Sequence, residues 1–399
     1  MWIRTLLWLC AVMMPIFAVA KPLVLTSFPE SFYSQVEQAF KQRHPDSTLQ
    51  IMNKKTPALI AHLMQQREPK PDLVWVSSSD AMALMQQLGH INDPVPFAWS
   101  HFGFFWHNSA LRADSLPEPT GWASLLSPKF VGKLALSAPS RSGTNHLVVE
   151  LILQQYGWQK GWQVIAQLGG NLATITARSF GVRQGIIKQR FAIAPVVDFF
   201  YKNALESGHD VGFFPLPNAP LIPAQIAYVT GSRSAEGQVF IDFLLSDFGQ
   251  QLLSSPQLNR ISLKQGQSLQ QDRGNYQFDE QLSASRYHLV NRLFDLFITE
   301  RLSDWQRFWA LWYQLEQAPL SEPQRLLLTN IKQRVIDVPI DESVATDPAL
   351  NAKLSPIHRY DSFYQRMTQT WQRDLAQKLS SALVELEQLN QQVEHGASQ

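Results

Sequence analysis

The residues best suited to chemistry in this chain form a hydroxyl-rich loop, residues 137–145, with the sequence SAPSRSGTN. The loop follows the apolar run Lys133–Leu136 and precedes a periodic apolar run from His146 to Tyr156. This pattern predicts a strand that leads through the loop into a helix. Such a loop offers backbone N–H groups, hydroxyls and the positive end of a helix to an anion. Because no acid/base pair lies in the same stretch, we expect capture of an anionic small molecule.

Arg141 lies between two serines of this loop, directly before the predicted helix. Its guanidinium group could hold a phosphate or a carboxylate through two parallel hydrogen bonds. Ser140, Ser142, the Gly143 amide and Thr144 would complete the cradle. The alternative is a solvated turn in which Thr144 caps the helix.

A second arginine follows the predicted strand Leu172–Thr176 and would lie on the same side of the molecule. Arg178 and Ser179 could form a further contact with the anion. Arg178 could equally pair with Asp198 or with Glu150.

Hydroxyl residues also follow two strands predicted near the N-terminus. Thr26 and Ser27 end the first, and Ser77 and Ser78 end the third. They could donate hydrogen bonds to the ligand, although serines at strand ends also commonly cap the next helix.

Asp198 ends the apolar run Phe191–Val197 and is followed closely by Tyr201. The carboxylate could receive a ligand hydroxyl, or it could form an ion pair near a hinge. Both interpretations remain open from the sequence.

Strands and helices alternate in the first hundred residues, which indicates an α/β fold with parallel strands. Ligands of such sheets bind beyond the carboxyl ends of the strands, where the hydroxyl residues fall. The predicted strands are Leu23–Thr26, Leu49–Met52 and Leu73–Val76, and the predicted helices run from Phe32 to Phe40 and from Ala81 to Leu88.

A second lobe is expected to begin at the apolar strand Phe102–Trp106, and Ile226–Thr230 is predicted to rejoin the first lobe. One amphipathic helix is predicted from Ala235 to Leu253. Beyond about residue 270 every periodic segment is helical. The last of them carries an apolar stripe that predicts core packing or, alternatively, a docking surface; it includes Trp371, Leu375, Leu379 and Leu383.

Residues 1–20 have the pattern of a secretory signal peptide, with a positive Arg4, an apolar core and Ala18-Val19-Ala20 before the cleavage point. The alternative is an uncleaved anchor. Cys10 is the only cysteine, so the mature chain would contain none. Removal of Arg4 leaves 33 basic and 33 acidic residues, which argues against nucleic acid and membrane surfaces as partners.

Three motifs in this order resemble the type II periplasmic solute-binding proteins, in the branch that includes ferric-ion and phosphate-ester binders. The resemblance implies a two-lobe type II fold with an all-helical C-terminal extension and a periplasmic location. It places the first lobe at residues 21–101 and 225–270, the second at 102–224 and the extension at 271–399. The motifs are WASLLSPKFVGKLAL at 122–136, PSRSGT at 139–144 and AEGQVFIDFLLSDFGQ at 235–250.

A narrower resemblance is to regulatory members of that family that respond to phosphoglycerate. It implies a protein that captures a phosphorylated small carboxylic acid between its lobes and signals to a membrane sensor kinase, which induces the ligand's transport. The alternative is the delivery subunit of an ATP-driven (ABC) importer for a phosphate ester, another organic anion or ferric ion. The segments are SAPSRSGTNHL at 137–147, LQQYGW at 153–158 and RSFGV at 178–182.

Two other classes of function are less well supported by the residues. Ferric-ion binders of this fold typically use adjacent tyrosines, and here residues 197–201 read VDFFY with one phenol. A hydrolase would need a nucleophile with a base, and His146 near Ser142 could instead be a solvated residue of the helix's first turn. We therefore expect no enzyme activity, no metal and no cofactor.

Overall fold

The computed structural model describes residues 21–216, 219–271 and 278–397. The expected signal peptide, residues 1–20, lies outside these ranges. Within them the strands form two five-stranded sheets, one in each lobe of an α/β fold.

The first sheet has the strand order β2-β1-β3-β10-β4. β1 runs parallel to β2 and β3, whereas β10 is antiparallel to β3 and β4. The chain therefore leaves this lobe after β4 and returns to it through β10, slightly before the predicted return at 225. The strands are β1 (Leu23–Thr26), β2 (Gln50–Asn53), β3 (Leu73–Val76), β4 (Ile91–Ser100) and β10 (Ile222–Val229).

The second sheet has the equivalent order β7-β6-β8-β5-β9. β6 is parallel to β7 and β8, and β5 is antiparallel to β8 and β9. The two lobes are therefore built on the same topology and face each other across the two crossing segments. The strands are β5 (Phe102–His107), β6 (Leu134–Ser137), β7 (Leu172–Thr176), β8 (Ile193–Val197) and β9 (Val211–Pro215).

Helices follow most of these strands. In the lobes they are α1 (Glu30–Arg43), α2 (Thr56–Met64), α3 (Ser79–Gln87), α4 (Asn108–Ala113), α5 (Gly143–Tyr156), α6 (Trp158–Asn171), α7 (Ser179–Ile187), α8 (Asp198–Glu206), α9 (Ala235–Leu245), α10 (Asp247–Leu253) and α11 (Leu263–Gln271). The C-terminal extension contains α12 (Glu280–Ser285), α13 (Tyr287–Phe297), α14 (Leu302–Glu316), α15 (Glu322–Ile336), α16 (Glu342–Ala345), α17 (Pro348–Lys353) and α18 (Ser362–Ala397).

The single helix predicted from Ala235 to Leu253 is wrong, because the chain breaks it at Ser246. Ser246 has extended backbone angles, and its Oγ accepts a hydrogen bond from the Gly249 N–H at 3.1 Å. A serine that caps a new helix competes with continuation of the old one.

The helical extension shares its hydrophobic core with the second lobe. Trp309 of α14 lies against α6, where its Nε1 donates to the Ala166 carbonyl at 2.9 Å. Gly170 permits this approach, because a Cβ there would lie 2.4 Å from the Trp309 ring. The predicted stripe on α18 is buried in the same core, which confirms core packing.

The extension also contacts the first lobe. α12 packs on α3, where Gln87 Nε2 donates to Gln281 Oε1 at 2.6 Å. The extension therefore spans both lobes behind the cleft between them. No helix among the described residues is long and apolar enough to cross a membrane.

A buried polar cluster marks the place where both lobes and the extension meet. His146 of α5 lies 3.4 Å from the Asp80 carboxylate of α3, and its Nδ1 is 2.8 Å from Asn291 Oδ1 of α13. Ser283 of α12 donates to Asp80 at 3.3 Å. His146 is fully buried here, so the solvated position considered from the sequence is wrong.

Candidate functional site

The cleft between the lobes contains a cavity of about 420 Å³, which is in the size range of small-molecule sites. Both lobes line it. From the first come the loops that follow β1, β2 and β3, and from the second come the loops that follow β6 and β7 and the start of α8. The cavity therefore lies beyond the carboxyl ends of parallel strands in both sheets, as expected for this architecture.

Besides α8, four helices begin at the cavity wall. Residues at the start of α1, α2, α5 and α7 all line it. Three of these helices, α1, α2 and α7, have no side-chain cap among the described residues. Their first N–H groups and the positive ends of their dipoles thus favour an anion in the cavity.

Five cationic side chains line the cavity, and Glu30 is the single carboxylate among the described lining residues. None of the five cations, Lys54, Lys55, Arg141, Arg178 and Arg260, forms a salt bridge with any described residue. Unpaired cations concentrated in one cleft attract an anionic ligand although the mature chain as a whole is predicted to be neutral.

Gly143 is where the two lobes come closest at the cavity. A Cβ at this position would lie 2.7 Å from Ser78 Oγ and 2.9 Å from Thr56 Oγ1, both of the first lobe. A side chain there would require the side chains of Ser78 and Thr56, or the lobes themselves, to shift. Ser142 is the N-cap of α5, because its Oγ accepts a hydrogen bond from the Asn145 N–H at 3.3 Å. Thr144, the cap considered from the sequence, does not have this role.

Eight of the thirteen predicted ligand residues line this cavity: Ser27, Ser77, Arg141, Ser142, Gly143, Thr144, Arg178 and Ser179. They come from both lobes. Arg178 does not pair with either alternative partner, because Glu150 binds Arg286 and Asp198 binds Lys202.

Two predicted hydroxyl residues of the first lobe turn inward. Thr26 Oγ1 donates to the Trp75 carbonyl at 2.6 Å and accepts from the Phe28 N–H at 3.1 Å. Ser78 Oγ donates to Asp80 at 2.6 Å. Neither lines the cavity, and both instead hold the loops that carry Ser27 and Ser77.

Ser140 points away from the cavity toward the extension. It lines a small crevice of about 50 Å³ and hydrogen-bonds Asp295 of α13. Burial raises the pKa of Asp295, and the Ser140 hydrogen bond opposes that rise. Ser140 thus ties the loop that carries Arg141 to the helical extension.

The two predicted residues of α8 also lie outside the cavity lining. Asp198 is buried and its Oδ2 is 3.1 Å from Lys202 Nζ, so it forms an ion pair within one helix turn. Burial raises its pKa. Tyr201 stacks on Phe213 with the ring centroids 5.3 Å apart.

Sequence reasoning missed several lining residues, including Tyr33, Asn53, Lys54, Lys55 and Arg260. The two adjacent lysines directly after β2 are a signal that could have been read from the chain. Arg260 lies between α10 and α11 in a segment with no recognisable local pattern, so only the folded structure places it at the cavity.

Of the two residues of the hydrolase considered from the sequence, Ser142 lines the cavity and His146 does not. His146 is held in the buried cluster by Asp80 and Asn291. Among the described lining residues Tyr33 is the single phenol, and no group of three or more His, Cys, Asp or Glu in the described parts of the chain could hold a metal ion.

Known proteins share this architecture. A solved structure of the periplasmic binding protein AfuA from Actinobacillus pleuropneumoniae, with fructose-6-phosphate bound, matches with a TM-score of 0.62 at 16% identity, over 69% of this chain and 98% of that one. Iron-bound HitA from Pseudomonas aeruginosa matches with a TM-score of 0.52 at 14% identity, over 64% of this chain and 99% of that one. At these identities the likeness shows the fold.

The sequence comparisons go further. The phosphoglycerate transport regulatory protein PgtC from Salmonella typhimurium is 32% identical over 343 residues, which are 84% of this chain and 83% of that protein. The family described as "Bacterial extracellular solute-binding protein" matches residues 27–255. The resemblance inferred from the motifs is thereby confirmed, and the chain belongs to the bacterial extracellular solute-binding protein family.

Proposed function

We propose that this protein captures a phosphorylated small carboxylic acid, of the phosphoglycerate type, in the interlobe cleft and signals its presence to a membrane sensor kinase that induces its transport. It works in the periplasm after removal of its signal peptide, and it binds its ligand without transforming it. The observation that carries the proposal is the cavity lined by unpaired Lys54, Lys55, Arg141 and Arg178 at four helix N-termini.

The chemistry of the cavity favours a phosphoryl group. Helix N-termini and serine hydroxyls donate hydrogen bonds, and the cations neutralise a dianion, which together are the usual means of holding phosphate. The name of the Salmonella relative associates it with phosphoglycerate transport, which supports this ligand class.

The packing of the extension favours signalling over simple delivery to an importer. α12 contacts α3 of the first lobe, while α14 packs on α6 of the second. A change in the angle between the lobes must therefore disturb one of these contacts, and the extension transmits that change to its own surface. A ligand that binds both lobe arrangements equally would transmit nothing.

Thermal unfolding of the chain from Lys21 onward, with single candidate ligands, tests the capture step. We expect 3-phosphoglycerate to raise the unfolding midpoint by an amount that grows with the logarithm of its concentration over Kd, and glucose 6-phosphate and ferric ion to raise it little. Arg141→Met should remove most of the shift, because it deletes a charge-assisted contact worth about 1.5–3 kcal/mol. The matched control is Arg112→Met, since Arg112 pairs with Asp210 away from the cavity.

The same ligand should strengthen binding of the chain to the exported domain of the sensor kinase, and Arg141→Met should remove that effect. A midpoint shift with ferric ion alone would contradict phosphate capture. Ligand-dependent binding to an importer permease, with none to a sensor kinase, would identify the delivery alternative.

A further inference from the structure

Arg260 differs from the other cations of the cleft because it is buried, with 4% of its surface exposed. It lies next to the crossing between the lobes, where its Nη1 donates to Ser100 Oγ at 3.4 Å. Its Nε has no hydrogen-bond partner among the described residues. Burying a charge with so few partners costs folding free energy unless another group pairs with it.

The neighbouring carboxylate, Asp198, does not form an ion pair with Arg260. Asp198 is buried nearby and opposes the effect of burial on Arg260, but its own close partner is Lys202. Burial lowers the pKa of Arg260 to about 9, so the guanidinium is charged at neutral pH and only partly compensated.

Arg260 lies where two cavities meet. It lines both the cavity of about 420 Å³ and a second one of about 240 Å³ beside it. Lys54, Lys55, Arg141 and Thr144 line only the larger one. The ligand site is therefore longer than the anion cradle at the helix N-termini. Its second part is lined by two cations, Arg183 and Arg260, and of these Arg260 alone also lines the larger cavity.

The surroundings of Arg260 are aromatic. Its guanidinium carbon is 3.6 Å from the centre of the Phe199 ring and 4.7 Å from that of Phe32. These rings hold the guanidinium plane and exclude water around it. The planar guanidinium of Arg260, held between these rings, fits a planar anion such as a carboxylate that accepts two parallel hydrogen bonds.

We infer that Arg260 recognises the carboxylate of the ligand and so determines specificity for phosphorylated acids over other phosphate esters, while the phosphoryl group lies at the helix N-termini. This inference rests on the proposed function. It divides the cleft into a phosphoryl part, with several cations, hydroxyls and N–H groups, and a carboxylate part with the guanidinium of Arg260, in the cavity that Arg183 also lines.

Two ligands that differ in the carboxylate alone test the division. 3-Phosphoglycerate and glycerol 3-phosphate share the phosphoryl end, and calorimetric titration of the chain from Lys21 onward gives a Kd for each. We expect 3-phosphoglycerate to bind about 10- to 100-fold more tightly, the range for hydrogen bonds to a charged group.

Arg260→Met should bring this ratio close to one while leaving the Kd for glycerol 3-phosphate little changed. Arg260→Lys keeps the positive charge but lacks the two parallel N–H donors of the guanidinium. It should therefore retain part of the preference for 3-phosphoglycerate over glycerol 3-phosphate. Arg141→Met is the matched control: it should weaken both ligands and leave their ratio intact. Retained binding of glycerol 3-phosphate shows that each variant is folded.

An unchanged ratio in Arg260→Met would overturn the assignment of Arg260 and leave the proposed function standing. Equal affinities of the unaltered protein for both ligands would overturn carboxylate recognition but not phosphate capture. If the unaltered protein is folded by circular dichroism and binds neither, the proposed function itself fails.

Discussion

Two buried arginines of this protein show opposite behaviour. Arg286, between α12 and α13, has no exposed side-chain surface, and its guanidinium lies 2.9 Å from Glu150 and 2.6 Å from Glu342. Arg260 is almost as buried but has a single hydrogen bond of 3.4 Å among the described residues. Burial lowers the pKa of both; the two glutamates more than reverse that effect for Arg286, whose pKa is raised.

The difference separates charges that stabilise the fold from charges that we propose bind a ligand. The junction of the lobes and the extension contains paired groups, with Arg286 on Glu150 and His146 beside Asp80. The cleft contains cations without carboxylate partners. Removing one partner of a buried ion pair strongly destabilises the fold, because the other charge is left buried and unpaired. Removing a cation that has no carboxylate partner leaves no such charge behind.

The largest expected effect is at the junction. Arg286→Met leaves the buried Glu150 carboxylate without its cationic partner, so we expect the free energy of unfolding in urea to fall by about 3–5 kcal/mol. Arg260→Met, a matched replacement of the other buried arginine, should cost much less. Equal losses for the two variants would show that Arg260 is as structural as Arg286.

A smaller effect is expected where the lobes touch at the cavity. Gly143→Ala places a Cβ within 3 Å of the hydroxyls of Ser78 and Thr56, and overpacking of this kind costs about 1–3 kcal/mol. If the lobes must meet here to hold the ligand, calorimetry should show a Kd raised by about 5- to 100-fold. Gly121→Ala is the control, since its Cβ would meet no atom within 4 Å. Unchanged affinity in Gly143→Ala would mean that the lobes part without cost.

The smallest effect concerns pH. Because burial raises the pKa of Asp198 above its ordinary 3.8, the folded protein keeps this proton to higher pH than the unfolded chain does. Its contribution to stability is therefore lost as pH rises from 3.8 through the folded pKa. Asp198→Asn removes that loss, so the variant should gain stability relative to the unaltered protein as pH rises above 3.8 in urea titrations. A difference that is independent of pH would contradict this prediction.

Much of the alternation of strands and helices could be predicted, because apolar runs and caps are local signals. β1 and β3 lie where the sequence predicted them, at Leu23–Thr26 and Leu73–Val76. β4 was missed, since Pro94 and Pro96 argue against a strand. β4 is at the edge of its sheet, where proline removes no hydrogen bond that the sheet needs.

The candidate site was predictable to the extent that helix N-termini and strand ends define it. The chain alone indicates that the loop with Ser142, Gly143 and Thr144 leads into a helix and that Ser27 and Ser77 follow strands, because these features depend on neighbours a few residues away. Their place in the cleft follows from the common topology of the two sheets.

Other properties depend on residues far apart in sequence. Whether an arginine is paired is decided by the partners that folding brings to it: Glu150 and Glu342 reach Arg286, while no carboxylate reaches Arg260 as closely among the described residues. The burial of His146 and the shared core of the extension and the second lobe have the same origin. Local patterns determine the elements through backbone hydrogen bonding and periodic burial, but the balance of charge at any point depends on the complete set of neighbours, which exists only in the folded chain.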